Sequence, residues 1–296
     1  MAGTKTIKRM TLEDYLQKHY TKKTADAYYR EIEAYLLYCP KADTAVYKDI
    51  VAHIGILRNR YSNAKTLNRI LCAIKCYYHF LAYTGKRTDN PSKSIRLRDK
   101  TSRDIQLQDL FTEKELEVLL DRKERYRLLK ARNSVLTGLL IYQGLLPTEL
   151  ETLTTTDINL NQGTVYIKAG AKTNSRELSL KSSQIMILHE YIQKARQEML
   201  KNRSEDFLLV GIRGEQVTSE DITKHIVRSF KGLYAPRKVN CQTIRQSVIT
   251  NLLKAGNDLR IVQVFAGHKS PGTTEKYKQS NTESLKTAIQ QYHPMR

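Results

Sequence analysis

Three stretches of this 296-residue sequence gather side chains that can handle a phosphate. Residues 241–270, CQTIRQSVITNLLKAGNDLRIVQVFAGHKS, carry Arg245 and His268. Tyr277 closes the run PGTTEKY, nine residues after His268. Residues 171–178, AKTNSREL, carry Lys172 and Arg176. A phenol, an imidazole, guanidinium groups and an ammonium together suit one chemistry. A tyrosine can attack a phosphodiester and keep its energy in a covalent phosphoenzyme, and the phenoxide is a reasonable leaving group for the reverse step. Cations must surround the phosphorane, where negative charge accumulates, and an acid must meet the departing oxygen. With Arg, His and Lys in those roles no metal or other cofactor is required. Each residue also has a blander use. Arg245 would serve in a surface ion pair, His268 as a helix cap, and Tyr277 is one of 18 tyrosines.

Other chemistries find less support. The four cysteines, Cys39, Cys72, Cys76 and Cys241, are scattered apart from one i, i+4 pair, which is not the pattern of a secreted disulfide framework. Cys72, Cys76 and His79 share a helix face, but no fourth ligand is near to complete a structural zinc set. No cysteine sits in an activating context. Lys and Arg number 50 against 30 acidic residues, a net charge of +20, which points to a polyanion, either nucleic acid or an anionic membrane. No apolar run approaches the roughly 18 residues a spanning helix needs. The first ten residues lack the apolar stretch of a secretory leader. The expectation is an intracellular, cytoplasmic protein that faces nucleic acid, with no membrane partner.

The elements that must position these residues can be read from periodicity. Hydrophobic residues make up 40% of the chain, enough for a real core, so disorder as the global state is excluded. Thr11 with Asp14 caps a first helix, Thr24 begins a second, and Thr44 or Asp49 opens a third. Leu67, Ile70, Leu71, Ile74, Tyr78 and Leu81 repeat at three and four residues in a fourth, which stops at Thr84-Gly85. The Tyr77-Tyr78 pair reads as core rather than as base-stacking residues. Residues 51–100 hold 11 basic side chains and 2 acidic ones, the densest basic footprint in the chain. Residues 92–110 read as a polar, basic linker. Beyond it, Thr112 to Glu115 is a capping box, an apolar helix covers roughly 132–145, and Pro147 starts a short one. The period then changes. Residues 158–167 alternate around Asn-Gln-Gly as a hairpin, with a third strand at 177–180. Helices return at about 181–201, 219–231, 241–255, 258–266 and 271–291.

These motifs resemble the tyrosine recombinases, the phage-type integrases with Xer-like members. The resemblance rests on QGLLPTELETLTTTDINL at 143–160, AKTNSREL, the stretch 241–270 and PGTTEKY. The piece LLKAGNDLRIVQVFAGHKSPGTTEKY is the most specific, and NAKTLNRILCAIKCYYHFLAYTG followed by NPSKSI looks like the family's core-binding domain. The resemblance implies a mainly α fold with a small antiparallel sheet. A SAM-like helical core-binding domain would occupy residues 1–91 and an α+β catalytic domain residues 111–296. It further implies Tyr277 as nucleophile, leaving a 3′-phosphotyrosyl link. Arg245 would clamp the nonbridging oxygens, His268 would donate to the phosphate, and Lys172 would be the acid, with Lys168 as the competing choice.

Two positions depart from the family pattern. The slot of its first arginine, before x-x-Glu-Leu, holds Leu146, and the slot of its first histidine, three before Arg245, holds Gln242. Gln donates a hydrogen bond but exchanges no proton, and Leu does neither. Losing one preorganised donor costs about 10²–10³ in rate. Arg132 and Arg176 are the candidates to replace the missing guanidinium, with Arg176 favoured by its place on the hairpin.

The resulting expectation is a site-specific recombinase that works on double-stranded DNA without metal or ATP, its two domains embracing the duplex. Lys65, Arg69 and Lys75 of the fourth helix and Arg96, Arg98 and Lys100 of the linker would contact phosphates. Leu285, Ala288, Ile289 and Tyr292 form an i, i+3, i+4, i+7 stripe. It would pack on its own domain or dock on a neighbouring protomer in a dimer or tetramer. Two alternatives remain beside this one. Leu146 and Gln242 motivate a catalytically impaired DNA-binding, architectural or regulatory protein on the same fold, and a type IB topoisomerase-like enzyme would share the chemistry without a specific site.

Overall fold

The computed structural model describes residues 10–97, 109–201 and 203–277. Arg98, Lys100, most of the expected linker and the stripe from Leu285 to Tyr292 lie outside the described residues. The chain divides into two compact units, residues 1–103 and 104–296.

The first unit is helical: α1 (Leu12–His19), α2 (Lys22–Tyr38), α3 (Tyr47–Arg60) and α4 (Ala64–Tyr83). Thr11 Oγ1 accepts the Asp14 amide while the Asp14 carboxylate accepts the Thr11 amide, so two orphan donors of α1 are satisfied reciprocally. The apolar spacing of α4 buries Leu67, Ile70, Leu71, Ile74, Tyr78 and Leu81. Gly85, at φ +71°, ends that helix in the left-handed conformation. Asp49 does not open α3. It sits in the first turn, and its carboxylate accepts the Val46 amide at 2.8 Å. Ser92 and Ile95 are buried, so the start of the expected linker packs on this unit. Lys75 holds it there, donating to the carbonyls of Ile95 (2.7 Å) and Lys93 (3.4 Å).

The second unit surrounds a larger core. The capping box of Thr112 and Glu115 starts α5 (Glu113–Glu117), and α6 (Arg127–Tyr142) begins five residues earlier than the apolar run suggests. Then come α7 (Pro147–Thr152) and an antiparallel sheet of β1 (Ile158–Asn159), β2 (Thr164–Ile167) and β3 (Arg176–Ser179), in that order. Pairing of Ile167 with Arg176 starts β3 one residue before the expected position and puts Arg176 and Leu178 on the buried side of the strand. The expected helix over 181–201 is present with a wide turn at Tyr191–Ala195, between α8 (Ser182–Glu190) and α9 (Arg196–Leu200). That turn accompanies two anchors. The Tyr191 hydroxyl donates to the Leu208 carbonyl, and Arg196 donates to the Phe207 carbonyl. The last elements are α10 (Ser219–Ser229), α11 (Cys241–Lys254), α12 (Leu259–Ala266) and α13 (Pro271–Glu275). Among the described residues no helix is long and apolar enough to cross a membrane.

One buried hydrogen-bond chain ties three elements of the first unit. Tyr35 meets Tyr78 at 2.6 Å, and Tyr78 donates to the Ala42 carbonyl at 3.0 Å. Tyr78→Phe should cost about 1–3 kcal/mol, because the Tyr35 hydroxyl and the Ala42 carbonyl both lose their partner. Tyr35→Phe leaves the Tyr78 bond to Ala42 intact and should cost under about 1 kcal/mol. Urea denaturation of the two variants checks the order.

Candidate active site

The site is built where three backbone turns converge. α11 starts cleanly because Asn240 Oδ1 accepts the amides of Gln242 and Thr243. Gln242 itself is exposed in that first turn. One turn on, Arg245 faces inward among Ile244, Val248 and Ile249 and is 6% exposed. Its Nη1 donates to the Gly144 carbonyl and its Nη2 to the Ala266 carbonyl, both at 2.5 Å. The guanidinium therefore staples the α6–α7 turn to the end of α12. Two of its five N–H donors are spent on those carbonyls, which leaves others for an anion. Gly144 takes φ +60° to make its turn.

α12 ends at Gly267 in the left-handed conformation, φ +68°. A Cβ there would lie 2.6 Å from Arg176 Nη1 and 3.0 Å from the Asn174 carbonyl, so the close approach needs glycine as well as the dihedral does. The β2–β3 hairpin uses this gap. The Asn174 amide donates to the Gly267 carbonyl at 2.8 Å, and Thr173 pairs with His268. Lys269 Nζ adds a bond to the Ala171 carbonyl at 3.1 Å. Lys172 is thus carried, exposed, on a tip pinned on both sides to the His268 loop. Lys168 is engaged elsewhere, 3.1 Å from Asp157.

His268 is buried. Its Nδ1 lies 2.8 Å from Thr274 Oγ1, and its ring lies nearly parallel to that of Tyr277, with centroids 6.0 Å apart and an interplanar angle of 16°. Tyr277 is half-buried against Ile249, Val262 and Ala266. Its amide donates to the Thr274 carbonyl at 3.0 Å. The structure therefore brings Arg245, His268 and Tyr277 together in one chain.

A carboxylate that the sequence reading gave no role anchors the cluster. Glu149, in the first turn of α7, accepts the Leu146 amide at 2.8 Å. It pairs bidentately with Arg176 at 2.8 and 3.1 Å, and lies 3.9 Å from Arg245 Nη1. The Glu-Leu that follows the Leu146 slot is the signal that could have found it. This pair engages Arg176, the residue expected to replace the missing guanidinium, while its Nε has no hydrogen-bond partner among the described residues. Its side chain is 1% exposed and committed to Glu149, because a buried guanidinium needs a fixed counter-charge. Arg132, the other candidate, donates from Nε and Nη2 to Asn133 Oδ1.

The electrostatics follow from burial. Burial opposes the Glu149 charge, yet the Arg176 hydrogen bonds and charge, the Leu146 amide and Arg245 hold its carboxyl below the usual range. Burial, reinforced by Arg245 and Arg176, pushes His268 down to about 4, so its ring is neutral at pH 7. Burial raises the Tyr277 phenol, with Arg245 opposing.

The basic residues expected on the first unit fare unequally. Lys65 and Arg96 are exposed. Arg69 pairs with Glu31 at 2.6 Å, and Lys75 donates to the carbonyls of the 93–95 segment.

Comparison with known proteins places this geometry. The sequence model of the Phage integrase family matches residues 109–284, and that of the Phage integrase N-terminal SAM-like domain matches residues 11–85. The chain belongs to the phage integrase family. It is 29% identical over 290 residues to tyrosine recombinase XerD of Oceanobacillus iheyensis, covering 94% of this chain and 95% of that one. Tyrosine recombinase XerD of Listeria monocytogenes is 25% identical over 296 residues, covering 96% of this chain and 98% of that one. Among solved structures, the XerH site-specific recombinase bound to palindromic difH substrate, a post-cleavage complex, superposes with TM-score 0.71 at 20% identity, covering 90% of this chain and 78% of that one. The Tn1549 transposon integrase in complex with a circular intermediate DNA gives TM-score 0.64 at 16% identity, covering 94% and 99%. These likenesses carry the fold. The two family models fall on the sheet-bearing unit and the helical unit respectively.

Stability should be level near pH 7–8 and fall as pH drops from about 6.5 towards 4, because unfolded histidines take up protons that the folded state refuses. His268 and His225, the latter also pushed down to about 4 mainly by burial, both contribute in that window. His268→Gln should make the decline shallower, read from denaturant midpoints across the pH series.

Proposed function

We propose that the chain is a DNA strand-transfer enzyme of the tyrosine recombinase type, acting at specific sites on double-stranded DNA in the bacterial cytoplasm. The observation that carries this reading is the convergence of Tyr277, His268 and Arg245 around the turns at Gly144 and Gly267. The Tyr277 oxygen gives up its proton to solvent water and attacks phosphorus as the bond to the 5′ oxygen breaks. That oxygen takes a proton from Lys172, and the 3′ phosphate stays on the tyrosine. A 5′ hydroxyl of a second strand then gives its proton back to Lys172 and attacks the phosphotyrosine, which restores the diester and releases the tyrosyl oxygen to be reprotonated from solvent. Arg245 and His268 donate to the nonbridging oxygens as charge builds. Residues 1–91 serve as the DNA-binding domain and 111–296 as the catalytic domain, with 92–110 between them. Lys65 and Arg96 supply phosphate contacts from the first. The assembly on DNA is a dimer or tetramer of this chain, joined through the C-terminal segment.

A second reading has a specific observation behind it. Leu146 supplies no charge, and Arg176 is buried in a bidentate pair with Glu149. On this reading the chain binds DNA and cuts it slowly or not at all, and serves as an architectural or regulatory subunit.

Nicked suicide duplexes built from repeats flanking the gene separate the two. A recombinase gives a covalent protein–DNA adduct that Tyr277→Phe abolishes. Binding without adduct favours the second reading. Leu146→Arg should raise adduct formation by about 10²–10³ if the absent charge is what limits the step.

A further inference from the structure

We infer that Thr274 is a positioning residue for the phosphate-donating histidine: its hydroxyl fixes His268 in the tautomer whose proton sits on Nε2. The inference rests on the recombinase reading for its consequence and on the geometry alone for its cause. Thr274 is 0% exposed, and its Oγ1 lies 2.8 Å from His268 Nδ1. Some threonine hydroxyls of this chain back-bond to a carbonyl one turn earlier, as Thr84 does to Phe80 and Thr223 to Ser219, and the buried Thr250 hydroxyl has no partner among the described residues. Among the described residues the Thr274 hydroxyl has no such acceptor. Nδ1 is its one hydrogen-bond partner there, so the hydroxyl proton goes to Nδ1 and the ring's single proton to Nε2.

The neutral state of the ring makes this choice consequential. A doubly protonated imidazole would donate from either nitrogen. A neutral ring has one N–H, and if that hydrogen sat on Nδ1 the face towards a phosphate would present a lone pair to a negatively charged oxygen. Arg245 and Arg176 stand close enough to disfavour a second proton on the ring. The tautomer therefore decides between attraction and repulsion.

Thr274 also ties the donor to the nucleophile. Its carbonyl accepts the Tyr277 amide at 3.0 Å, while its hydroxyl holds the imidazole. One residue of α13 thus sets the ring of His268 and the start of the turn that bears Tyr277. The spacing Thr-x-x-Tyr is the sequence counterpart.

The experiment uses the full chain with selectively ¹⁵N-labelled histidine, the His268 signals being assigned with His268→Gln. In the wild type, Nδ1 should resonate as the unprotonated nitrogen and Nε2 as the protonated one. Thr274→Val, which keeps the shape and removes the hydroxyl, should mix or reverse the tautomers. Thr274→Ser should restore them. On the suicide duplex Thr274→Val should slow adduct formation about 10- to 100-fold, the range for removing a partner that orients a metal-ligating histidine, with DNA binding by mobility shift unchanged. Thr274→Ser should recover most of the rate. A wild-type signal with the proton on Nδ1, or a Thr274→Val spectrum with His268 unchanged, overturns the inference. A wild type that forms no adduct overturns the recombinase reading instead and leaves the tautomer measurement to decide this one.

Discussion

The buried carboxylate of Glu149 is the interaction on which the site depends. It joins three elements that are far apart in sequence: the α7 amide of Leu146, the β3 guanidinium of Arg176 and, at 3.9 Å, the α11 guanidinium of Arg245. A lone carboxylate at this depth would sooner be protonated than remain charged. Two guanidinium groups and a helix-start amide keep it ionised. Removing either partner of the Glu149–Arg176 pair leaves a buried charge uncompensated, and such losses run to about 3–5 kcal/mol. The pair is better understood as a device that fixes geometry than as a source of net stability, because the desolvation of both ions offsets much of their attraction.

The rest of the geometry is made by backbone. Arg245 spends two donors on carbonyls of the Gly144 and Ala266 turns, and the hairpin tip reaches the Gly267 loop through main-chain bonds. Functional side chains are therefore presented by turns whose positions are set against one another. Gly267 is the point where this is most exacting, since it must turn left-handed and also leave room for the Arg176 guanidinium. Such an arrangement suits electrostatic catalysis, which works through donors that need no reorganisation when charge develops.

Much of this was legible in the sequence, for identifiable reasons. The α4 stripe, the Thr11 and Thr112 caps and the alternation at 158–167 are local signals, and local signals survive folding when the core agrees with them. The His268 to Tyr277 spacing marked two rings that the fold does bring together. Charge alone was a poor guide. Lys75 lies in the densest basic stretch, yet its ammonium closes the 93–95 segment onto α4, which no composition count reveals. Arg176 looked like a spare cation because its counter-charge, Glu149, is 27 residues away in sequence and meets it only through the tertiary fold. Thr274 was hidden in the same way, since a buried hydroxyl acquires a role only from the group it faces.

The charge balance of the cluster bears on what the chemistry can achieve. Among the buried groups Glu149 and Arg176 cancel, His268 is neutral and Arg245 remains as a cation, with Lys172 on the exposed hairpin tip. A phosphodiester carries one negative charge. The phosphorane carries a second, and a site with an arginine in place of Leu146 would meet it with a second cation. In this chain the added charge falls to the neutral His268 N–H and the unspent N–H groups of the charged Arg245, together with whatever Lys172 brings from the exposed hairpin tip. An enzyme accelerates a step only through interactions stronger in the transition state than in the ground state. Hydrogen bonds from neutral donors strengthen as the phosphate oxygens gain charge, so they act in the required direction, though each is about half as strong as one from an ionised donor. On the proposed reading, a site with Leu146 in that slot therefore stabilises the transition state less than one with a second arginine would, and the cost of the missing charge grows as the phosphate gains charge.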